Sequence, residues 1–304
     1  MRKSVWRIDA SGASATDGRP RFSPAKAVWS LGHFAVAIIG CPFFLGIDAL
    51  LMYLALTYFT LLLGHSVGMH RLLIHRSYDC PRWLRSIFIY LGTVVGMAGP
   101  LGILRIHDVR DWAQRQEACH EFFAHTRGLW RDAIWNLAYV FEFQSPPVFR
   151  VENDFLEDRF LVFLERTWYR QQLPVALLLY AIGGWAWVVW GVSARIATSI
   201  TAHWIVTYYA HNPYSGRWFV KGAVVQASNL PGWGFLTHGE AWHNNHHAFP
   251  ESYRMGLEAN QIDPGAKVIE WLEQAGLAYD LGKPRSEDKR SDIELHDFYV
   301  RRLG

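Results

Sequence analysis

The sequence predicts an all-α membrane protein, with four transmembrane helices in two hairpins and a helical cap on one side of the bilayer. Three observations support this prediction. Apolar residues make up 51% of the chain, and its 15 Trp, 13 Tyr and 18 Phe exceed the aromatic content of a typical soluble domain. The longest apolar segments come in two pairs, each with a short join. The histidine-rich motifs follow or separate these pairs, which predicts that the cap holds a His-rich metal site.

The first pair comprises residues 28–47 and 49–63, which are almost all apolar, with residues 46–48 as the predicted turn. About 20 apolar residues span a bilayer as a helix, so this pair is long enough to cross and return. His33 and Pro42 interrupt the first segment. This interruption keeps an alternative open, in which the segments are buried core helices of a soluble α-helical protein.

The second pair comprises residues 173–190 and 196–210, with residues 191–195 as the predicted join. Because two crossings return a chain to its starting side, everything outside the two pairs must share one face of the bilayer. That face carries nearly all of the Lys and Arg residues outside the spans, and the positive-inside tendency makes it cytoplasmic. We therefore expect a multi-pass membrane protein with its metal site and both termini on the cytoplasmic side.

The expected organisation has three parts. Residues 1–24 form a loose cytosolic arm that lacks a signal-peptide pattern. Residues 25–285 form the membrane domain, and a charged tail follows at 286–304. Within the membrane domain, the hairpins cover about 28–64 and 173–210, and the cytosolic cap covers 65–172 and 211–285.

Net charge and cysteine content exclude two classes of protein. The net charge is +3 and the sequence has no Lys/Arg-rich block or glycine-rich phosphate loop, so nucleic acid is not an expected partner. Cys41, Cys80 and Cys119 are odd in number and widely spaced, without a CxxC pair. They predict separate thiols in a reducing compartment, and neither a disulfide framework nor a zinc knuckle.

Histidines recur in four short motifs, which are GHSVGMHRLLIHRSYDCP at 64–81, RIHDVRDW at 105–112, YYAHN at 208–212 and GEAWHNNHHAFP at 239–250. All four motifs lie on the single face deduced above. The predicted topology therefore permits one shared site built from residues that are distant in sequence.

The spacing of these histidines favours metal binding. His243, His246 and His247 are three and four positions apart, so on a helix they project from the same side. His70 and His75 are five positions apart. Several unpaired imidazoles in one confined space repel when protonated and cost desolvation when neutral, and a metal ion resolves both problems. We interpret the isolated histidines as ordinary core residues, namely His33, His203 and His296.

The donor set narrows the choice of metal. Imidazole nitrogen suits borderline transition metals such as iron, copper, nickel and zinc. Many nitrogen donors with few thiolates argue against an iron–sulfur cluster or a structural zinc site. Iron and zinc are therefore the candidates that follow from the residues.

Three stretches carry a family resemblance, namely HRLLIHRSYDCPRWL at 70–84, GTVVGMAGPLGILRIH at 92–107 and GEAWHNNHHAFPESYRMGLE at 239–258. They resemble the integral-membrane fatty-acyl desaturases of the acyl-CoA and acyl-lipid Δ9 group over most of residues 45–280. Both the first histidine box, HxxxxH, and the third, HxxHH, are present. The resemblance implies four transmembrane helices and a cytosolic cap with two non-haem iron ions, which use O2 to remove two hydrogens from a long acyl chain. It also implies seven metal ligands, namely His70, His75, His107, His211, His243, His246 and His247.

The middle box departs from the family pattern HRxHH, because residues 107–111 read His-Asp-Val-Arg-Asp. Arg110 has no acceptor lone pair and cannot bind a metal. Asp111 can, and it lies one helical turn from His107, so we include its carboxylate among the expected ligands. The alternative is that Arg110 and Asp111 form a salt bridge that shapes the cap.

Four further residues are candidates for a place beside the metals. His120 and His125 repeat the HxxxxH spacing in HEFFAH and are candidates either to replace the lost ligands or to support the others. His65 precedes His70 by slightly more than one turn and is expected to support it. Thr207 occupies the position of a family asparagine that is associated with the metal site.

The chain contains no stretch that resembles a flavin, haem or ferredoxin module, so electrons must come from a separate donor of the ferredoxin or cytochrome b5 type. The resemblance implies an acyl-chain substrate, carried as acyl-CoA, on acyl-carrier protein or in a lipid. An apolar tunnel would hold that chain, and Trp83, Trp112 and Trp242 are candidates to line it. We expect no catalytic residues beyond the metal ligands, because an sp³ C–H bond offers no charge for acid–base catalysis.

The altered middle box leaves two alternatives open. One is a related acyl-chain hydroxylase or acetylenase. The other is a membrane protein that binds metal without catalysis.

Overall fold

The computed structural model describes residues 5–212, 216–285 and 290–295, and the protein is mainly helical. His296, residues 1–4 of the expected arm and most of the expected tail lie outside the described residues. The α-helices are Pro24–Phe43, Ile47–Phe59, Arg82–Val94, Pro100–Gln114, Glu121–Ala124, Leu129–Ala138, Asn153–Leu156, Arg159–Thr167, Gln172–Val188, Arg195–Ala210, His243–Ala248 and Pro264–Gln274. The π-helices are Thr60–Ile74 and Val189–Ala194, and the 3-10 helix is Trp168–Gln171.

Within the described residues, three two-stranded antiparallel sheets depart from the predicted all-α fold. The paired strands are Ile8–Asp9 with Val148–Phe149, Gly18–Phe22 with Tyr139–Phe143, and Trp218–Val220 with Ile293–Leu295. Two of these sheets include residues of the N-terminal arm, which is therefore ordered rather than loose at residues 8–9 and 18–22. Residues 139–149 supply the partners that satisfy its backbone hydrogen bonds.

A buried arginine fastens the same arm to the rest of the protein. Only 4% of Arg7 is exposed. Its guanidinium lies 2.7 Å from a carboxylate oxygen of Glu152 and 3.0 Å from one of Asp108, and it donates a hydrogen bond of 2.9 Å to the carbonyl of Ile74. A buried cation is tolerated only with such partners. The arm therefore lies against the segment that carries His75 and the helix that carries His107.

Three helical segments are long and apolar enough to cross a membrane, namely Pro24–Phe43, Ile47–Ile74 and Arg159–Ala210. Their apolar side chains point outward, as in Val28, which is 75% exposed, and Leu177, which is 71% exposed. A soluble protein buries such faces in its core, because large exposed apolar patches are rare on monomers in water. The exposure of these side chains therefore contradicts the alternative of buried core helices.

The join within the first apolar pair lies close to its predicted position. One helix ends at Phe43 and the next begins at Ile47, with Gly46 in extended conformation before it. The carboxylate of Asp48, in the first turn of the second helix, accepts a hydrogen bond of 2.8 Å from the indole of Trp187. This contact ties the join to the second apolar pair.

The join within the second pair differs from the prediction. Residues 191–195 are helical and buried, so no turn occurs there. The helical path breaks instead at Gly183 and Gly184, where Gly184 has φ 61° and ψ −156°. That conformation is open essentially to glycine alone. Apolar residues surround both this glycine pair and Gly191, where the predicted join begins. Hydropathy alone therefore did not show which of the two positions interrupts the helix.

The π-helix Thr60–Ile74 packs very closely against the helix Arg82–Val94. A Cβ atom added at Gly64 would lie 2.4 Å from the backbone nitrogen of Gly92, so the two backbones meet without intervening side chains. Glycine permits such an approach because it has no Cβ. This contact fixes the helix that carries the first histidine box.

Candidate metal centre

Seven of the expected ligands form two compact groups of imidazoles. Within each group the candidate ligand atoms lie within 4.8 Å of one another. We call them the first and second histidine groups. The first comprises His70, His75, His107 and His246, and the second comprises His211, His243 and His247.

The π-helix explains why the first box needs a spacing of five. In a π-helix the hydrogen bond runs from residue i+5 to residue i, so residues five apart lie one turn from each other. The backbone N–H of His75 donates such a bond of 3.0 Å to the carbonyl of His70, and the two ring centroids are 4.8 Å apart. Local π geometry therefore brings both imidazoles of HxxxxH to one group.

The third box supplies both groups. His243 and His247 belong to the second group, where their Nε2 atoms are 3.2 Å apart. His246 faces the first group, and its ring centroid lies 4.5 Å from that of His75. Their helical spacing suggested that the three histidines would surround one point. The structure instead divides them between the two groups. They link the two groups through the short helix His243–Ala248.

The two asparagines inside HNNHH anchor that short helix. The Asn244 amide accepts a hydrogen bond of 2.9 Å from the backbone N–H of Trp218 and donates one of 2.8 Å to its carbonyl. The Asn245 amide donates to the carbonyl of Met255 at 2.8 Å. Because both amides bond to backbone groups of neighbouring segments, a helix of six residues is held firmly enough to orient its histidines.

Glu240 orients one ligand of the first group. Its carboxylate lies 2.5 Å from Nδ1 of His70 and also accepts hydrogen bonds from Ser66 at 2.6 Å and from Arg71 at 3.1 Å. Arg71 is completely buried, and it bonds Asp263 at 2.9 Å as well. A carboxylate on one imidazole nitrogen fixes the ring and leaves the other nitrogen free for a metal.

Several nitrogens of the two groups have no hydrogen-bond partner. Nε2 of His75, Nδ1 of His246 and Nε2 of His211 are buried and unpaired within the described part of the chain. A buried polar atom without a partner costs free energy. A bound cation would remove this cost, and an all-imidazole donor set suits iron or zinc. The residues present therefore fit a transition metal.

Burial keeps these imidazoles neutral, the state in which they bind metal. Loss of solvation lowers the pKa of His75, His243, His246 and His247 well below the usual range of histidine, and neighbouring imidazoles lower it further. The same burial lowers the pKa of His211 to about 3. Each ring therefore offers a lone pair at neutral pH.

The two positions of the middle box that have lost a histidine, 110 and 111, differ from each other. The carboxylate of Asp111 accepts a hydrogen bond of 3.0 Å from Arg115 and belongs to neither histidine group. Arg110 forms no hydrogen bond or ion pair with any residue that the structure describes, and it lines a cavity together with His243. The salt bridge between Arg110 and Asp111 that we considered is therefore absent from the described residues, since Asp111 pairs with Arg115.

Two of the supporting candidates lie beside the groups. The ring centroid of His65 is 6.3 Å from that of His70 and 5.2 Å from that of His203. Thr207 is buried, and its backbone carbonyl accepts a hydrogen bond of 2.7 Å from Nδ1 of His211. That bond leaves Nε2 of His211 facing the second group. Thr207 thus orients a ligand through its backbone.

His120 and His125 occupy unlike environments. Nδ1 of His120 accepts a hydrogen bond of 3.1 Å from the backbone N–H of Phe122, and the side chain is half-buried at the start of a short helix. His125 is 9% exposed, and its ring centroid lies 5.7 Å from that of His211. Only His125 is therefore close to a histidine group.

A cavity adjoins both groups, and most of the surface of its walls is apolar. Its apolar lining includes Leu61, Ile74, Ile103, Ile106, Val206 and Leu236. Its polar lining includes His65, His70, His107, Arg110, His203, Thr207, His238, Glu240 and His243. The three tryptophans that we expected there, Trp83, Trp112 and Trp242, do not line it. Trp242 instead donates a hydrogen bond of 2.8 Å to the carbonyl of Ile262.

The chain is similar to several named desaturases. An sn-1 stearoyl-lipid 9-desaturase of Anabaena variabilis is 32% identical over 271 residues, which cover 87% of this chain and 95% of that protein. The chain belongs to the fatty-acyl desaturase family. A second sn-1 stearoyl-lipid 9-desaturase, from Synechocystis sp., is 29% identical. The alignment covers 90% of this chain and 85% of that protein. The acyl-CoA 5-desaturase AL21 of Anemone leveillei is 32% identical, with coverage of 86% and 80%. No family model matches the chain.

Sequence reasoning missed four polar residues of this desaturase that line the cavity beside the histidine groups. They are His203, Thr237, His238 and Glu240. Glu240 stands three positions before His243, and a carboxylate so close to a histidine box was an available signal. His203 carried no such signal, because it is isolated in sequence and becomes part of the cavity wall only through tertiary packing. His238 stands five positions before His243, and this HxxxxH spacing was an available signal.

Proposed function

We propose that this desaturase introduces a double bond into a long acyl chain with O2 and two non-haem iron ions, one at each histidine group. The single observation that carries the proposal is the pair of compact imidazole groups beside a cavity with mostly apolar walls. The names of its relatives, stearoyl-lipid and acyl-CoA desaturases, favour an acyl-lipid or acyl-CoA substrate.

The residues of the first group would hold one ion through His70, His75, His107 and His246, and those of the second group would hold the other through His211, His243 and His247. Iron supplies the power to activate O2 and break an unactivated C–H bond. The protein supplies position. Glu240 and the carbonyl of Thr207 keep His70 and His211 in their orientations, so that the ligands are arranged before any ion binds.

The cavity is suited to an alkyl chain. Its apolar residues, among them Ile103, Ile106 and Val206, would exclude water and gain free energy by covering the methylene groups. His243 and His107 stand in the same lining, so a chain held there would lie beside both groups. Holding the reacting carbons in one position is the protein's main contribution to rate in such a reaction.

The membrane arrangement is part of the proposal. Four crossings are obtained when Arg159–Ala210 is divided at Gly183 and Gly184, and the other two are Pro24–Phe43 and Ile47–Ile74. All seven histidines then lie at or beyond the same ends of these segments, in a cap on the cytoplasmic side. A separate protein of the ferredoxin or cytochrome b5 type would supply the electrons.

The test is an activity measurement on membranes that contain the protein. The membranes are incubated with stearoyl-lipid or stearoyl-CoA, O2 and a reductase system, and the products are analysed by mass spectrometry. A product that has lost two hydrogens is expected. His246→Ala should abolish it, whereas the matched control His120→Ala, outside both groups, should retain it. Failure of every acyl substrate to acquire a double bond overturns the proposal.

A related hydroxylase or acetylenase is the second candidate, and one observation favours it. The second group has three imidazoles against four in the first, and Arg110, which has no partner among the residues that the structure describes, lies near it. A gain of one oxygen in the product would indicate hydroxylation. Metal analysis is expected to give about two iron ions per chain for either enzyme, and a chain that binds none would support a protein without catalysis.

A further inference from the structure

The second histidine group has fewer donors than the first. Its three imidazoles compare with four in the first group, and Arg110 and Asp111 stand in the middle box where the family pattern has histidines. Arg110 cannot donate a lone pair, and the carboxylate of Asp111 is engaged by Arg115. A fourth protein ligand, equal in number to the four of the first group, would have to come from outside the three histidine boxes.

His125 is a side chain of the right chemistry next to that group. Its ring is nearly parallel to that of His211, with an interplanar angle of 18° and a centroid distance of 5.7 Å. Its Nε2 is buried and has no hydrogen-bond partner within the described ranges. An unpaired buried nitrogen of this kind is costly unless it acquires a partner.

The other ring nitrogen of His125 is held as in a metal ligand. Nδ1 lies 3.0 Å and 3.2 Å from the two carboxylate oxygens of Asp132, which is completely buried. Trp204 donates a hydrogen bond of 2.7 Å to the same carboxylate, and Arg127 lies 2.8 Å from it. A fixed carboxylate on Nδ1 places the proton there and leaves the lone pair on Nε2, which is the arrangement found behind metal-bound histidines.

The backbone of His125 is also constrained. It has φ 54°, a left-handed conformation that is uncommon for residues other than glycine and often accompanies functional positions. The side chain of Asn212 donates a hydrogen bond to the carbonyl of His125. Since Asn212 follows His211 directly, this bond ties His125 to the segment that carries a ligand of the second group.

We propose that His125 is the fourth nitrogen ligand of the second histidine group and that Asp132 positions it. This inference rests on the proposed function, in which the second group holds an iron ion. Nε2 of His125 lies outside the set of atoms that are mutually within 4.8 Å, so ligation through it requires the ring to move toward His211 and His243. His120, the other histidine of HEFFAH, has no such role because its Nδ1 caps a helix.

The test measures iron bound per chain rather than activity. Detergent-solubilised protein is stripped with a chelator and titrated with Fe²⁺ without oxygen, and bound iron is measured after gel filtration. Wild type should bind two ions per chain. His125→Ala and His125→Gln should keep one ion tightly and lose affinity for the other by at least about tenfold. The control His120→Ala should bind two ions as wild type does.

The outcomes separate this inference from the proposed function. A wild type that binds two ions, together with His125 variants that bind two ions equally well, overturns the role of His125 alone. A wild type that binds one ion overturns both proposals, because the proposed function places an ion at each group. A wild type that binds none overturns both proposals. The Gln variant guards against misfolding, since it keeps a polar side chain beside Asp132, and both variants must elute as wild type does.

Discussion

Nδ1 of His70 lies 2.5 Å from the carboxylate of Glu240, and this contact links two segments that are 170 residues apart in the chain. Glu240 is itself held by Ser66 and Arg71, both completely buried. The imidazole is therefore oriented from behind by a carboxylate that cannot easily move. The first histidine group depends on this contact for the direction in which His70 presents its free nitrogen.

Replacement of Glu240 should weaken the first group selectively. Glu240→Gln removes the charge but preserves the shape, and we expect the affinity of one iron ion to fall about 10- to 100-fold. Competition with a chromophoric chelator measures the change. Glu258→Gln is the matched control, because Glu258 forms an ion pair of 2.8 Å with Arg217 at the surface. Equal affinities in the two variants would show that Glu240 does not orient a ligand.

Removal of the Arg110 cation should strengthen the second group. Its charge lies close enough to act on His211 and His243, whose pKa it helps to lower after burial, and like charges repel an incoming metal ion in the same way. Arg110→Met should therefore raise the affinity of the more weakly bound ion. Arg110→Lys, which keeps the charge, should leave it nearly unchanged. The control is Arg105→Met, an exposed position on the same helix. A Met variant with the affinity of wild type would contradict this account.

His238 should make the metal-free protein sensitive to acid. Burial lowers the pKa of His238 to about 4, and it is 4% exposed with both ring nitrogens unpaired among the described residues. The unfolded chain, with a usual pKa near 6.5, binds the proton first as pH falls, so this contribution is complete above about pH 6.5 and is lost toward pH 4. Between about pH 7.5 and about pH 5 the loss is roughly 2 kcal/mol.

The variant His238→Asn should lack this contribution. Asparagine tolerates the positive φ of 60° at this position and does not titrate. Thermal unfolding of both proteins in detergent, at neutral and at mildly acidic pH, measures the difference. The midpoint of wild type should fall further on acidification than that of the variant. Parallel shifts would mean that His238 is not the responsible group.

The close helix contact at Gly64 should not accept a methyl group. A Cβ atom there would lie 2.4 Å from the backbone of Gly92, so Gly64→Ala should destabilise the fold by roughly 1 to 3 kcal/mol through overpacking. Gly32→Ala is the control, because Gly32 lies in a helix with no atom within 4 Å of its added Cβ. That change should be neutral or slightly stabilising, since alanine favours helices. Equal midpoints of thermal unfolding for the two variants would refute the argument.

The family and the helical character of this desaturase could be predicted because both depend on local patterns. Apolar runs of membrane-spanning length are visible in any window, and the boxes around His70 and His243 keep their spacing in the sequence. The assembly of two separate groups was harder to predict. Spacing suggested that His246 would join His243, whereas the rotation of one short helix turns it toward His70 and His75.

The remaining differences have tertiary causes. The break at Gly183 and Gly184 was not predicted, because apolar residues surround both this pair and the glycine at 191. The strands of the N-terminal arm were not predicted, because their partners lie at 139–149 and nothing in residues 8–22 marks the pairing. Glu240 acquires its role only when a distant helix brings His70 to it.

The pairing of Gly18–Phe22 with Tyr139–Phe143 imposes an order on biosynthesis. The arm leaves the ribosome before its partner strand, which emerges more than a hundred residues later, on the order of ten seconds at ordinary rates of translation. During that interval Pro24–Phe43 and Ile47–Ile74 have already been made, while Arg7 still lacks Glu152. The arm therefore closes over the histidine-bearing helices only after the middle of the protein has been synthesised.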